Sequence, residues 1–200
     1  MVLDNKLGIT NSIELAREEE RLTKIRAKEL FESGRLFDLE VGTFAILSDI
    51  HKSLFGDIFE FAGNVPDVNI AKDCFQFAPP MFLIQSLEYI DRLPHNSFDD
   101  IIDKYADMNI AHPFRKGNGR SMRIWLDCML RDKLQQVLDW SSIDKDEYLN
   151  ATKRSHVSTG ELNYLLQQHL TDDLDKMVFL KGLDASYYYE GYTLYKTVEL

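Results

Sequence analysis

Residues 112–120 read His112-Pro113-Phe114-Arg115-Lys116-Gly117-Asn118-Gly119-Arg120. Pro113 disfavours the α region for His112, so a helix arriving from the N-terminal side ends at or just before the histidine. His112 is then held on a loop against that helix end. Gly117 and Gly119 let the backbone take positive φ or approach a ligand closely. A new helix begins near Gly119, and a glycine turn running into a helix N-terminus offers unpaired N–H groups and a positive dipole end. Arg115, Lys116, Arg120 and Arg123 put four cations between positions 112 and 123, and the next acid is Asp127. Arg120 and Arg123, at i and i+3, can meet the same anion. Basic residues work against the dipole of a first turn, so their presence argues for an anion bound there. Singly, a loop histidine is most often solvated and a Gly-x-Gly most often a turn. Together they describe a phosphate site with a histidine beside it.

The flanking sequence is mostly helical in period. Asn11 with Glu14 opens a charge-dense helix to Phe31, carrying Leu15, Leu22 and Ile25, with Gly34 as its stop. Thr43 caps a second helix with Leu47, Ile50 and Leu54 on one face. A third carries Leu83, Leu87 and Ile90 and ends by Pro94. Ser97 with Asp100 caps a fourth, whose core face is Phe98, Ile101, Ile102 and Tyr105. The fifth buries Met122, Trp125, Leu126, Met129 and Leu130. Shorter helices are expected near Asp146–Lys153, Glu161–Leu170, Lys176–Leu183 and Ala185–Glu190, the last with Gly191 as an αL cap. Between the second and third helices, Val68-Asn69-Ile70 and Phe75-Gln76-Phe77 alternate apolar with polar around Ala71–Cys74, which reads as a small β-hairpin. The fold class is therefore all-α with one small hairpin.

Composition bounds the function. The 200 residues hold 33 Asp and Glu against 23 Lys and Arg, a net charge of −10, with a pI near 4.9. That balance disfavours nucleic acid and anionic membrane as broad partners. It leaves a local basic pocket open. No apolar run is long enough to span a bilayer, and Met1 to Gly8 lacks the basic and apolar regions of a signal peptide. The cysteines, Cys74 and Cys128, form no C-x-x-C pair, so the expected setting is a reducing, cytoplasmic one. Exposed helices leave self-association open.

The nonapeptide, extended to Arg123, resembles the Fic (Fido) motif H-P-F-x-[D/E]-G-N-G-R-x-x-R. Met108-Asn109-Ile110-Ala111 leads into it as in that family. Gly63 followed by Asn69 to Phe77 with Lys72 is similar to the family's hairpin flap over the active site. Ser186-Tyr187-Tyr188-Tyr189-Glu190-Gly191 resembles its inhibitory motif [S/T]-x-x-x-E-[G/N]. The resemblance implies a single domain over 1–200, with a flap at about 66–78, a catalytic loop at 112–120 and an inhibitory helix at about 185–191, as in small members that carry their own inhibitory helix.

The resemblance implies transfer of AMP from ATP to a hydroxyl of a target protein docked along the flap. His112 is the expected general base. Gly117, Asn118 and Gly119 are expected to cradle the α- and β-phosphates, with Arg120 on the β-phosphate, Arg123 on the γ-phosphate and Lys72 closing from the flap. Ser186 and Glu190 share one face of a short helix ended by Gly191, and Glu190 is expected to pair with Arg123 and block productive placement of the γ-phosphate. One position departs from the pattern. Lys116 stands where the family carries the acid that binds Mg²⁺, and an ammonium has no lone pair for a metal. Three readings stay open: an adenylyltransferase with an impaired metal site, a nucleotide-binding interaction module of weak activity, or a transferase for another phosphate-containing donor. The Ala62–Asp67 loop also has Pro and Asp where relatives often carry a basic residue.

Overall fold

The computed structural model of the chain describes residues 2–37, 40–66, 71–72, 75–76 and 80–200. Eight α-helices are present among them: α1 (Ser12–Glu32), α2 (Phe44–Phe55), α3 (Pro80–Arg92), α4 (Phe98–Ala111), α5 (Asn118–Leu134), α6 (Lys145–Arg154), α7 (Gly160–Gln167) and α8 (Lys176–Tyr189). Helix α5 is the axis of the packing, touching α2, α4 and α8. Its apolar residues Met122, Trp125, Leu126, Met129 and Leu130 are buried as their spacing predicts, but so are Asn118, Arg120, Ser121 and Arg123. A helix buried all round sits in the centre of a core, and here its polar first turn is buried with it.

The helix boundaries follow local chemistry. The Asn11 side chain accepts from the Ile13 and Glu14 amides and caps α1. Ser97 and Asp100 form a complete capping box on α4. Thr43 occupies the cap position of α2 without a side-chain bond; the Phe44 amide donates instead to Asp91 Oδ1 at 2.6 Å. Helix α4 stops at Ala111, and His112 turns into the left-handed region at φ 49°. The stop falls where Pro113 demands it.

Three expectations need correction. Ala71 and Lys72 were expected in the hairpin connection; they form a strand, β1 (Ala71–Lys72), antiparallel to β2 (Phe75–Gln76), with Lys72 opposite Phe75. Val68, Asn69, Ile70, Cys74 and Phe77 lie outside the described residues. The final two predicted helices are one, α8, because neither Gly182 nor Asp184 breaks it. Gly182 lies against Trp140, whose Cδ1 is 3.3 Å from where a Cβ would stand. Asp184 does not cap a new helix; its carboxylate accepts from Lys24 Nζ at 3.0 Å and Thr197 Oγ1 at 2.7 Å. Leu170, expected in the seventh helix, belongs to a second two-stranded sheet, β3 (Val137–Leu138) with β4 (Leu170–Thr171). Strands of two residues carry too little alternation to be read as strands from sequence.

Candidate active site

The site forms where α4 hands over to α5. Phe114 is fully buried and stacks on the His51 ring with centroids 3.8 Å apart. Asn118 staples the loop: its Nδ2 donates to the Phe114 carbonyl at 2.5 Å and its Oδ1 accepts from the Phe114 amide at 2.9 Å. The Asn118 side chain is thus committed to the loop. Gly117 sits at φ 84°, and a Cβ there would lie 2.4 Å from the Phe55 ring, so only glycine fits. His51 holds the same loop from α2. Its Nε2 donates to the Lys116 carbonyl at 2.7 Å and its Nδ1 accepts from the Gly63 amide at 2.9 Å, partners that fix this tautomer. Burial pushes the His51 pKa down to about 4 against the pull of the Lys116 carbonyl, so the ring is neutral at pH 7.

The basic residues of the motif do not all face solvent. Arg120 is 1% exposed and Arg123 4%. Glu190 bridges them, with Oε2 2.8 Å from Arg120 Nε and Oε1 2.9 Å from Arg123 Nη2. The sequence pointed to Arg123 alone; the carboxylate takes both arginines. Ser186 adds its hydroxyl to Arg123 Nε at 2.6 Å and its carbonyl to Arg123 Nη2 at 2.9 Å. Aromatic rings complete the desolvation: Arg120 lies over Phe55, Tyr187 and Tyr192, and Arg123 over Tyr148 and Tyr189. Burial lowers the Arg120 pKa, but Glu190 and Glu19 outweigh it and leave the guanidinium raised.

Gly191 ends α8 at φ 90°. The Tyr192 amide bonds back to the Tyr187 carbonyl and the Gly191 amide to that of Tyr188, both at 3.0 Å, the Schellman pattern. This turn sets Glu190 at the helix C-cap, facing the start of α5. A Cβ on Gly119 would lie 2.7 Å from Glu190 Oε1, so that glycine permits the close approach.

Charge enters the site from a third element that the motif reading missed. Glu19, on α1 and fully buried, accepts from Lys116 Nζ at 2.7 Å, Arg120 Nη2 at 2.8 Å and the Tyr192 hydroxyl at 2.9 Å. Burial pushes its pKa up, and Arg120 with Lys116 overcomes that and holds it below the usual carboxylate range. Within Glu18-Glu19-Glu20 it reads as part of a solvated charge run. Its signal is positional: Glu19 lies at i+4 from Leu15, on the apolar face.

His112, Lys116, Gly119, Arg123, Glu190 and Tyr192 line a cleft of about 770 Å³, which continues along α6 at Asp146, Asn150 and Lys153. That volume lies within the range of ligand sites. Lys72 is on β1, and its side chain lies outside the described residues. The position at which the resemblance implies Mg²⁺ holds the Lys116 ammonium. The two carboxylates paired with the motif's cations, Glu19 and Glu190, are each taken up by them. Among the described residues no group of three or more His, Cys, Asp or Glu side chains converges to hold a metal. A divalent cation does not fit this arrangement.

A helical core that delivers a histidine loop and a buried, glycine-led helix start to one cleft defines the class. Residues 43–130 match the Fic/DOC family, and the chain belongs to it. Protein adenylyltransferase VbhT of Bartonella schoenbuchensis is 32% identical over 86% of this chain, which spans only 37% of that longer relative. The probable protein adenylyltransferase Fic of Salmonella typhimurium is 30% identical, covering 82% of this chain and 84% of the relative. The fold is shared with BepC of Bartonella tribocorum, solved with bound AMPPNP, at a TM-score of 0.72 and 21% identity over 86% of this chain and 93% of that one. It is shared also with the N-terminal Fic domain of a Bartonella quintana effector with bound ADP, at 0.68 and 23% over 90% and 94%.

Proposed function

We propose that this chain is a protein adenylyltransferase held shut by its own Glu190. The observation that carries the reading is the Glu190 carboxylate lying 2.8 Å from Arg120 and 2.9 Å from Arg123. Two buried guanidinium groups and the N-terminus of α5 suit a polyphosphate, and a carboxylate occupies the same donors. Release of Glu190 opens Arg123 and the Nε of Arg120, whose Nη2 stays on Glu19, to the γ- and β-phosphates of ATP, while the amides of Gly117, Asn118 and Gly119 face the α- and β-phosphates. His112 takes the proton of a target hydroxyl as its oxygen attacks the α-phosphorus. The bond to the pyrophosphate oxygen breaks, and charge developing on the phosphates is met by the arginines. Lys116 contributes a point charge and organises no metal bridge. Lys72 closes over the phosphates from the flap, along which the target segment docks. On this reading flap, loop and the end of α8 are parts of one domain over 1–200.

Names of relatives support the reaction class, for both VbhT and the Salmonella protein carry the adenylyltransferase name; neighbours crystallised with AMPPNP and ADP support the nucleotide. One observation favours a second reading, a nucleotide-binding interaction module of weak activity: the Lys116–Glu19 pair at 2.7 Å occupies the place of the metal-binding acid. Incubation with ATP labelled on the α-phosphate separates them. Transfer of label to the protein or a target by Glu190→Gly, with little by the parent and none by Glu190→Gly with His112→Ala, is the expected result. Equal labelling with and without His112 removes the general base from the account. ATP binding without labelling by Glu190→Gly selects the interaction module.

A further inference from the structure

Glu19 brings a fully buried carboxylate to the back of the motif. Its Oε2 meets Lys116 Nζ at 2.7 Å; its Oε1 meets Arg120 Nη2 at 2.8 Å and the Tyr192 hydroxyl at 2.9 Å. Arg120 is shared, because its Nε also faces Glu190 at 2.8 Å. Lys116 is therefore the cation that Glu19 does not share with the inhibitory carboxylate. Without Lys116, Glu19 keeps only the guanidinium that it shares with Glu190, and a carboxylate at position 116 would set a like charge directly beside a buried acid.

We infer that Glu19 fixes the sign of the charge at position 116: with this acid behind the loop, position 116 must be a cation, and the loop is closed to a divalent metal. The acid that relatives are expected to carry on the loop stands here on α1, sealed from the cleft and saturated by three donors. Restoring a loop carboxylate requires removing Glu19 at the same time. The part concerning metal and nucleotide rests on the nucleotide-binding reading above; the part concerning charge does not.

A melting cycle in the ligand-free protein tests the charge. Lys116→Glu and Glu19→Gln each lower the melting midpoint by about 5–10 °C, and the double variant melts above either single one. A double loss equal to the sum of the single losses overturns the inference. Should a carboxylate at position 116 prevent folding, Lys116→Met replaces it: its loss is smaller when combined with Glu19→Gln than alone, and an equal or larger loss overturns the inference. Calorimetric titration with ATP, with and without Mg²⁺, tests the metal in the Glu190→Gly protein. That variant binds ATP with the same affinity in both buffers. Adding Lys116→Glu together with Glu19→Gln makes Mg²⁺ improve binding by about tenfold or more. Equal Mg²⁺ dependence from Lys116→Glu without Glu19→Gln overturns the inference. If Glu190→Gly binds no ATP at all, the adenylyltransferase reading falls, and the melting cycle still decides the role of Glu19.

Discussion

The catalytic-loop segment owes its shape to His51, which no motif advertises. A single neutral ring joins α2, the Lys116 carbonyl and the Gly63 amide, and it stacks on Phe114. Its pKa falls from 6.5 to about 4 because burial disfavours the imidazolium. A group whose folded pKa is depressed contributes stability that is present above its unfolded pKa and is lost as pH falls toward the folded one. The window is therefore about pH 6.5 down to about 4, and the depression corresponds to roughly 3 kcal/mol. His51→Gln keeps both hydrogen bonds available without a titration. The stability gap between parent and His51→Gln, by urea unfolding, narrows between pH 7 and pH 5. Carboxylates titrating in the same pH range, among them Asp127, which burial lifts to about 7, are common to both proteins and cancel. A pH-independent gap contradicts the neutral, structural histidine. The nonapeptide was legible because its residue types are rare in combination. His51 and Glu19 were not, because a histidine in an apolar helix and one acid in a run of three carry no local pattern. Their meaning lies in what lies across from them.

Helix α8 is a scaffold that also brings Glu190, at its C-terminal end, to Arg120 and Arg123. Its buried face is laid down by Leu180, Leu183 and Tyr187, the Tyr187 hydroxyl reaching Thr23 on α1 at 2.7 Å and that of Tyr189 the Trp140 carbonyl at 2.8 Å. Those anchors deliver Ser186 and Glu190 to α5. Ser186→Ala removes the hydroxyl that meets Arg123 Nε at 2.6 Å. A bond to a charged, buried partner predicts a loss of about 1.5–3 kcal/mol in urea unfolding, with an unchanged m value; a loss within 0.5 kcal/mol, roughly the level of surface substitutions, contradicts the clasp geometry. The sequence showed the i, i+4 spacing of Ser186 and Glu190 and the Gly191 stop. It did not show one helix running through Gly182, since the packing of that glycine against Trp140 is tertiary. The capping box at Ser97 was legible because both of its partners are local.

The whole molecule ties its far end to its beginning. Lys24 on α1 is 1% exposed and its ammonium bonds Glu20 at 3.1 Å, Asp184 at 3.0 Å and the Tyr195 carbonyl at 2.6 Å. The Leu194 and Tyr195 amides return to Glu20. This buried network fastens the segment after Glu190 onto α1, so the clasp is held from both sides. Lys24→Met leaves two acids without their cation and costs about 3–5 kcal/mol in urea unfolding. Arg35→Ala, which loses the exposed pair with Asp49, costs within about 1 kcal/mol; similar losses for the two contradict the network. The net charge of −10 thus contains a site of three cations, buried Arg120 and Arg123 and half-buried Lys116, opposed by Glu19 and Glu190. On the proposed reading, Glu190 stands in for phosphate on Arg120 and Arg123. Isothermal titration of ATP into the parent and into Glu190→Gly measures that competition directly. Binding at least about tenfold tighter in Glu190→Gly is the expected result. Equal affinity in the two proteins, or tighter binding by the parent, contradicts it.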